Sequence, residues 1–425
     1  MKQMNKEELI YCFMNTLKDN QYLKDIISTD EIKARLNETI SEVIYDNKET
    51  KNGKTCFCSS KQDGTVIITL SDKINEAIKD LYIVHELLHA ISMSKIEATA
   101  EYLIHKCGLE FHFGHVENQN YIVDHKQDEA INEGMTQAIT ERIIKAGTNF
   151  SYNTEKDIAK IISVILGEKT MLQKYFSSTE SCKEDPNYIP IEDLKKRYGQ
   201  DIGFDFCDKL EKISPMADEL LKLNKDDEEK NKEQIDILKN EIYKILENMI
   251  DKMIEVTPDI RERITDIMNP LFQTTIGLKY SSKIMPDFYN SSDIDKEEKK
   301  KLGYDIINKY CELAPYGQNG IDGKFILETY IKSGIISQEN WNKKKALSKI
   351  MNGTRLNEIM RKIEKIQYKQ IGDYYMILGD YNIAENEPHK SVNGKLFDKD
   401  GNEVSIEREE LDKLKQRRIK TIYKW

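Results

Sequence analysis

The sequence predicts a predominantly helical α+β fold, and three observations carry that expectation. Long stretches such as 128–146 and 235–249 repeat apolar residues at helical spacing. Short β-branched runs, KTCFCS and TVIITL among them, stand between polar turn residues. Only 8 Pro and 20 Gly interrupt the 425 residues, which excludes collagen-like and Pro/Gly-rich disordered classes.

Residues 6–46 carry apolar positions at helical spacing and end in the polar stretch DNKETKNGK. KTCFCS and TVIITL, joined through Asp63-Gly64, read as a hairpin. Ser71 and Asp72 offer N-caps for a helix over INEAIKDLYIVHELLHAIS. Residues 95–106 read as a further helix stopped by Gly108, and LEFHFGHV with NYIVDH as a second hairpin. Helices follow over 128–146, ending at Gly147, over TEKDIAKIISVIL up to Gly167, and around MLQKYF.

A chain of 425 residues exceeds one compact core. The polar segment STESCKEDPNYIP marks a boundary near 180–192, so a first domain is expected over 1–180. Lys/Glu-rich helix over 192–256 and further helices to about 366 make a second domain, 181–366. In it Ile235, Leu238, Ile242, Ile245 and Met249 form a packed seam, and the charge run Lys225 to Lys232 is a solvated loop or helix face. Residues 367–425 read as a small β appendix with a basic terminal helix, LDKLKQRRIK.

With 64 Lys+Arg against 74 Asp+Glu the formal net charge is -10, so no broad footprint for nucleic acid or an anionic membrane is expected. No run approaches the roughly 18 to 20 apolar residues of a membrane span, and the first 20 residues lack a signal peptide's apolar core. A cytoplasmic protein is expected. The 7 cysteines are scattered and odd in number, which favours reduced thiols over a disulfide framework.

The chemistry concentrates in His85-Glu86-Leu87-Leu88-His89. Histidines at i and i+4 share one helical face and can reach one metal ion, while the intervening glutamate points about a quarter turn away, toward a metal-bound water. Ile83, Val84, Leu87, Leu88, Ala90 and Ile91 surround the motif with apolar residues, so its polar groups need partners. A catalytic zinc takes three protein ligands and keeps one open position. The third donor is sought on DEAINEGMTQAITER, where Glu129, Glu133, Gln137 and Glu141 fall four apart. Gly134 interrupts that helix and implies a close backbone approach, which we place against the His85–His89 helix with Glu133 turned to the metal.

HELLH followed by Asn132-Glu133-Gly134 resembles the gluzincin metallopeptidases over roughly residues 55–180, with Asn-Glu-Gly similar to the aminopeptidase branch. The resemblance implies a zincin-like domain in which His85, His89 and Glu133 bind Zn2+ and Glu86 is the general base for peptide hydrolysis. It implies that TVIITL is the edge strand along which an extended peptide or protein substrate aligns. It also implies an oxyanion donor on a downstream helix, Tyr175 in QKYF or else Tyr152 in FSYN. The interval between His89 and Glu133 is longer than in the aminopeptidases, and position 137 is Gln where gluzincins often place an acid against a ligand histidine.

The competing expectation is a metallopeptidase-like binding or regulatory module whose helical C-terminal half engages a protein partner. Other features point to structure. His112 and His115 fall on opposite strand faces, His105 and His125 read as rim or loop histidines, and Cys56 with Cys58 as core thiols. Asp398-Lys399-Asp400-Gly401-Asn402 reads as a hairpin turn.

Overall fold

A computed structural model describes residues 4–271, except 19, 21, 46–55, 61–64, 72–78, 100–101, 118–119, 145–151, 178–186 and 228–229. Beyond 271 it describes 274, scattered positions from 287 to 299, and 367–371, 374–378, 396–398, 403–405 and 420–422. Helix predominates among these residues, and none of the described helices is long and apolar enough to cross a membrane. The chain divides into two compact units, Met1–Glu262 and Arg263–Trp425.

The first unit begins with helices α1 (Lys6–Leu17) and α2 (Thr29–Thr39). Asn5 and Glu8 form a reciprocal capping box on α1, and the Ser28 side chain accepts from the Glu31 N–H at the start of α2. The stretch 6–46, read as carrying apolar positions at helical spacing, is thus two helices and a strand. Turns separate α1 from α2, and ISEVIY leaves the helix to become strand β1 (Ile40–Tyr45). Its β-branched residues fit a pleated ladder better than a helix.

β1 joins β2 (Cys56–Ser60) and β3 (Val66–Leu70) in a sheet of order β1-β3-β2, parallel between β1 and β3 and antiparallel between β3 and β2. TVIITL is thus central and both its ladder edges are used, which corrects the expectation of a substrate-facing edge strand. Val66, Ile68 and Leu70 are buried, as an inner strand requires. The edges of this sheet are β1 and β2.

Helix α3 (Lys79–Ser92) carries HELLH through the core, with Leu87, Leu88, Ala90 and Ile91 all fully buried. The N-caps expected at Ser71 and Asp72 concern a helix start that lies outside the described residues. After α3 the chain runs through β4 (Glu97–Ala98), β5 (Leu103–Cys107), β6 (Glu110–Glu117) and β7 (Asn120–Gln127), an antiparallel meander. The helix expected over 95–106 is replaced by β4 and β5. The Thr99 hydroxyl accepts the Tyr102 N–H between them, and the Leu103–Cys107 run pairs fully with β6. The apolar face of the meander packs Ile104, Phe111 and Phe113 with Tyr102. The other face carries the cross-strand pairs His105 with His112 and Cys107 with Glu110.

Helix α4 (Glu129–Ile144) follows, then α5 (Asn153–Leu166) and α6 (Glu168–Phe176). The Arg35 guanidinium donates to the carbonyls of Ile91 and Phe176, and Lys106 Nζ to those of Tyr175 and Ser177. These cations serve the last turns of α3 and α6, where carbonyls lack helical partners. The helical stretch expected over 192–256 is α7 (Ile191–Tyr198), α8 (Gln200–Asp227) and α9 (Lys232–Val256), broken at Gly199 by its φ of 87°. α8 packs against both α4 and α9 within the first unit.

In the second unit a π-helical turn, Arg263–Met268, precedes a five-stranded sheet. Its strands β8 (Gln367–Ile371), β9 (Tyr374–Leu378), β10 (Leu396–Phe397), β11 (Glu403–Val404) and β12 (Lys420–Ile422) run in the order β11-β10-β9-β8-β12, all antiparallel. The basic helix expected over 411–420 falls outside the described residues except for Lys420, which opens β12.

Candidate metal centre

His85 and His89 project from one face of α3, as i and i+4 spacing dictates, and both are buried. Glu133 reaches them from α4. Its Oε2 lies 3.1 Å from His85 Nε2 and 3.4 Å from His89 Nε2, and the two Nε2 atoms are 3.2 Å apart. Four ligands held at about 2.0–2.1 Å around a tetrahedral zinc are about 3.3–3.4 Å from one another. One separation lies at that edge and the other two fall about 0.1–0.2 Å inside it, and two imidazole nitrogens with a carboxylate are a zinc donor set. Among the described residues this is the one group of three His, Cys, Asp or Glu that converges in this way.

With protons in place of an ion, the same atoms form a buried ion pair. Burial alone would raise the Glu133 carboxyl, but the adjacent His89 and His85 overcome it and hold its pKa well below the ordinary value. Burial would likewise lower His89, yet Glu133 holds it well above its usual range.

Glu86 is only partly buried, unlike the two histidines. The two oxyanion candidates part company. Tyr175 is fully buried, and its hydroxyl is hydrogen-bonded to Thr136 Oγ1 at 2.8 Å. Tyr152, immediately before α5, stacks its ring on His85 at 5.7 Å and 12° between planes. Burial raises the Tyr152 phenol, and the charges of Glu133 and Glu86 raise it further, so it stays protonated and able to donate. Its backbone is left-handed, φ 65° and ψ 31°, a conformation that is strained for a tyrosine.

The remaining residues of the α4 face diverge from the centre. Glu129 pairs with Lys225, and Glu141 accepts from both Gln137 and Lys156. Gln137 is thereby bonded along its own helix. Gly134 meets α5, not α3: a Cβ there would lie 2.1 Å from the Glu155 carbonyl oxygen. The close approach exists with a different partner, because one residue past Glu133 the helix has turned by about 100°.

Two further side chains approach His89: Asn132, part of the Asn-Glu-Gly run but assigned no role by it, and Cys107, which no motif marks. Asn132 Nδ2 lies 3.5 Å from His89 Nδ1, and Cys107 Sγ lies 3.8 Å from it. Asn132 also bonds Glu110, whose carboxylate holds His112 at 2.6 Å and Lys126 at 3.0 Å. Burial pushes Glu110 up, but its hydrogen bonds and electrostatic contacts with His112 and then Lys126 bring it down to about 2. Of the other histidines, His115 pairs with Asp124 at the surface and His125 stacks on Phe113. His105 is buried, and burial followed by the charge of His112 lowers it to about 4.

Comparison with known proteins returns no match to this chain, whether against family models, curated proteins or solved structures.

Proposed function

We propose that the protein is a zinc metallopeptidase with a zincin-like catalytic region, in which His85, His89 and Glu133 hold the ion. The observation that carries the reading is the approach of those three donor atoms to separations of 3.1, 3.2 and 3.4 Å. Zinc bound there supplies a Lewis acid that polarises a peptide carbonyl and brings the pKa of water to about 7.

The chain's own residues perform the proton transfers. Glu86 sits one residue beyond His85 and takes the proton from the attacking water, then returns it to the leaving amine. Tyr152, protonated and stacked against His85, donates its hydroxyl hydrogen bond to the oxyanion. The hydroxyl of Tyr175 is engaged by Thr136, which supports Tyr152 for this role. An extended substrate has an edge of the β1-β3-β2 sheet to pair with, and β2 is the edge that packs beside α3.

The test is incubation of the zinc-loaded protein with a mixed peptide library, cleavage being read by mass spectrometry. Zinc-dependent cleavage that Glu86→Gln abolishes supports the reading. Cleavage indifferent to Glu86→Gln contradicts it.

A further inference from the structure

We propose that Cys107 is a positioning residue that selects the tautomer of His89 in which the site takes up zinc. The inference rests on the zinc reading above and deepens it. A histidine that ligates through Nε2 carries its ring proton on Nδ1, and that N–H needs an acceptor.

Among the described residues two side chains reach Nδ1 of His89, Asn132 Nδ2 at 3.5 Å and Cys107 Sγ at 3.8 Å. The orientation of the Asn132 amide is fixed by its other bonds. Its Oδ1 accepts the Leu109 N–H at 3.0 Å, and its Nδ2 faces the Glu110 carboxylate at 3.4 Å. The atom it turns toward His89 is therefore a donor. A donor cannot receive the Nδ1 proton, and left alone with His89 it would favour the tautomer protonated on Nε2, which has no lone pair for a metal.

Cys107 supplies what Asn132 cannot. Its S–H points to the His89 carbonyl oxygen, also 3.8 Å away, which leaves sulfur lone pairs for Nδ1–H. A neutral thiol does both at once. The fold holds it there from three sides. The Ser94 N–H donates to the Lys106 carbonyl, the Gly108 N–H donates to the Ser92 carbonyl, and Met93 bridges Cys107 directly. Gly108 makes the turn with φ 62°, and a Cβ there would strike Asn132 Oδ1 at 2.0 Å. The end of β5 and the end of α3 are thus locked together beside His89, with Cys107 buried there.

The test is the zinc dissociation constant of the full chain, measured by competition with a chromophoric chelator, for wild type and for Cys107→Val, Cys107→Ala and Cys107→Ser. Thermal midpoints of the zinc-free forms report folding. Loss of a partner of this kind weakens metal binding about 10- to 100-fold. That loss is expected in the Val and Ala variants, with the Ser variant recovering most of it because a hydroxyl can also accept. If Cys107→Val does not fold, the Ala and Ser variants decide, since they differ only by the hydroxyl. Ala and Val variants that bind zinc as wild type does, or a Ser variant no tighter than Ala, overturn the assignment. A wild type that takes up no zinc overturns the zinc reading along with it, whereas uptake unaffected by any of the substitutions overturns the Cys107 role alone.

Discussion

Tyr152 lies flat on His85, ring centroids 5.7 Å apart and planes 12° from parallel, and reaches that position through a left-handed backbone. The strain is tolerated because α5 starts there and packs closely on α4, the helix that carries Glu133. Strained residues of this kind cluster where geometry serves function. Tyr152→Phe is expected to lower kcat by about 10²–10³-fold, the usual loss for an oxyanion donor, with zinc affinity unchanged. Tyr175→Phe removes only a buried hydroxyl contact and costs about 1 kcal/mol of stability. Steady-state kinetics and thermal unfolding of the two variants separate the roles, and the reverse pattern would transfer the oxyanion role to Tyr175.

Glu86→Gln is expected to reduce turnover by at least about 10²–10⁴-fold, the typical contribution of a general base, and to leave bound zinc in place. Activity and metal content measured on one preparation check both halves. Retained turnover removes Glu86 as the base.

Gly134→Ala improves helix propensity by about 1 kcal/mol, yet it is expected to destabilise the protein. The new Cβ would stand 2.1 Å from the Glu155 carbonyl oxygen and 2.8 Å from the Lys156 nitrogen, backbone atoms that cannot step aside. Overpacking of this kind costs about 1–3 kcal/mol or more, and displaces Glu133 next to it. Denaturant unfolding gives the sign directly, and a stabilised variant would refute the α4–α5 contact.

Asp128 gives a pH prediction. It is fully buried and bonded to Ser214, while Asp218 of α8 accepts the N–H groups of Asp128 and Ala130 at the start of α4. Burial, then the charge of Asp218, raises Asp128 from 3.8 to about 7. The folded state therefore holds this proton more tightly than the unfolded state. Its contribution is fully present below pH 3.8 and is lost as the pH rises through about 7. His105, lowered to about 4, acts in the opposite sense as its own proton is lost or gained. The comparison with Asp128→Asn isolates the aspartate. The wild type is expected to lose more stability than the variant between pH 4 and 7, and parallel curves in thermal melts would refute it.

The convergence of His85 and His89 was legible in the sequence because i, i+4 spacing on an apolar helix fixes them on one face without tertiary information. Glu133 was sought on a later helix, but the glycine offered in its support packs on α5 and not on α3. What that glycine touches was not legible, since packing against α5 or α3 is decided by the whole assembly. Strand β1 was hidden by the apolar spacing of ISEVIY, which fits either period until β3 provides a ladder. The misreading of 95–106 as helix also hid Cys107. In a strand, Cys107 stands opposite Glu110 across a two-residue turn and beside His89, a neighbourhood that no local pattern encodes.

The most direct test of the central claim is the zinc content of the purified full chain by elemental mass spectrometry, after dialysis without chelator, beside His89→Ala. About one zinc per chain is expected, the stoichiometry of a single three-ligand site, lost in the variant. A wild type that holds no zinc even when zinc is offered would contradict the claim.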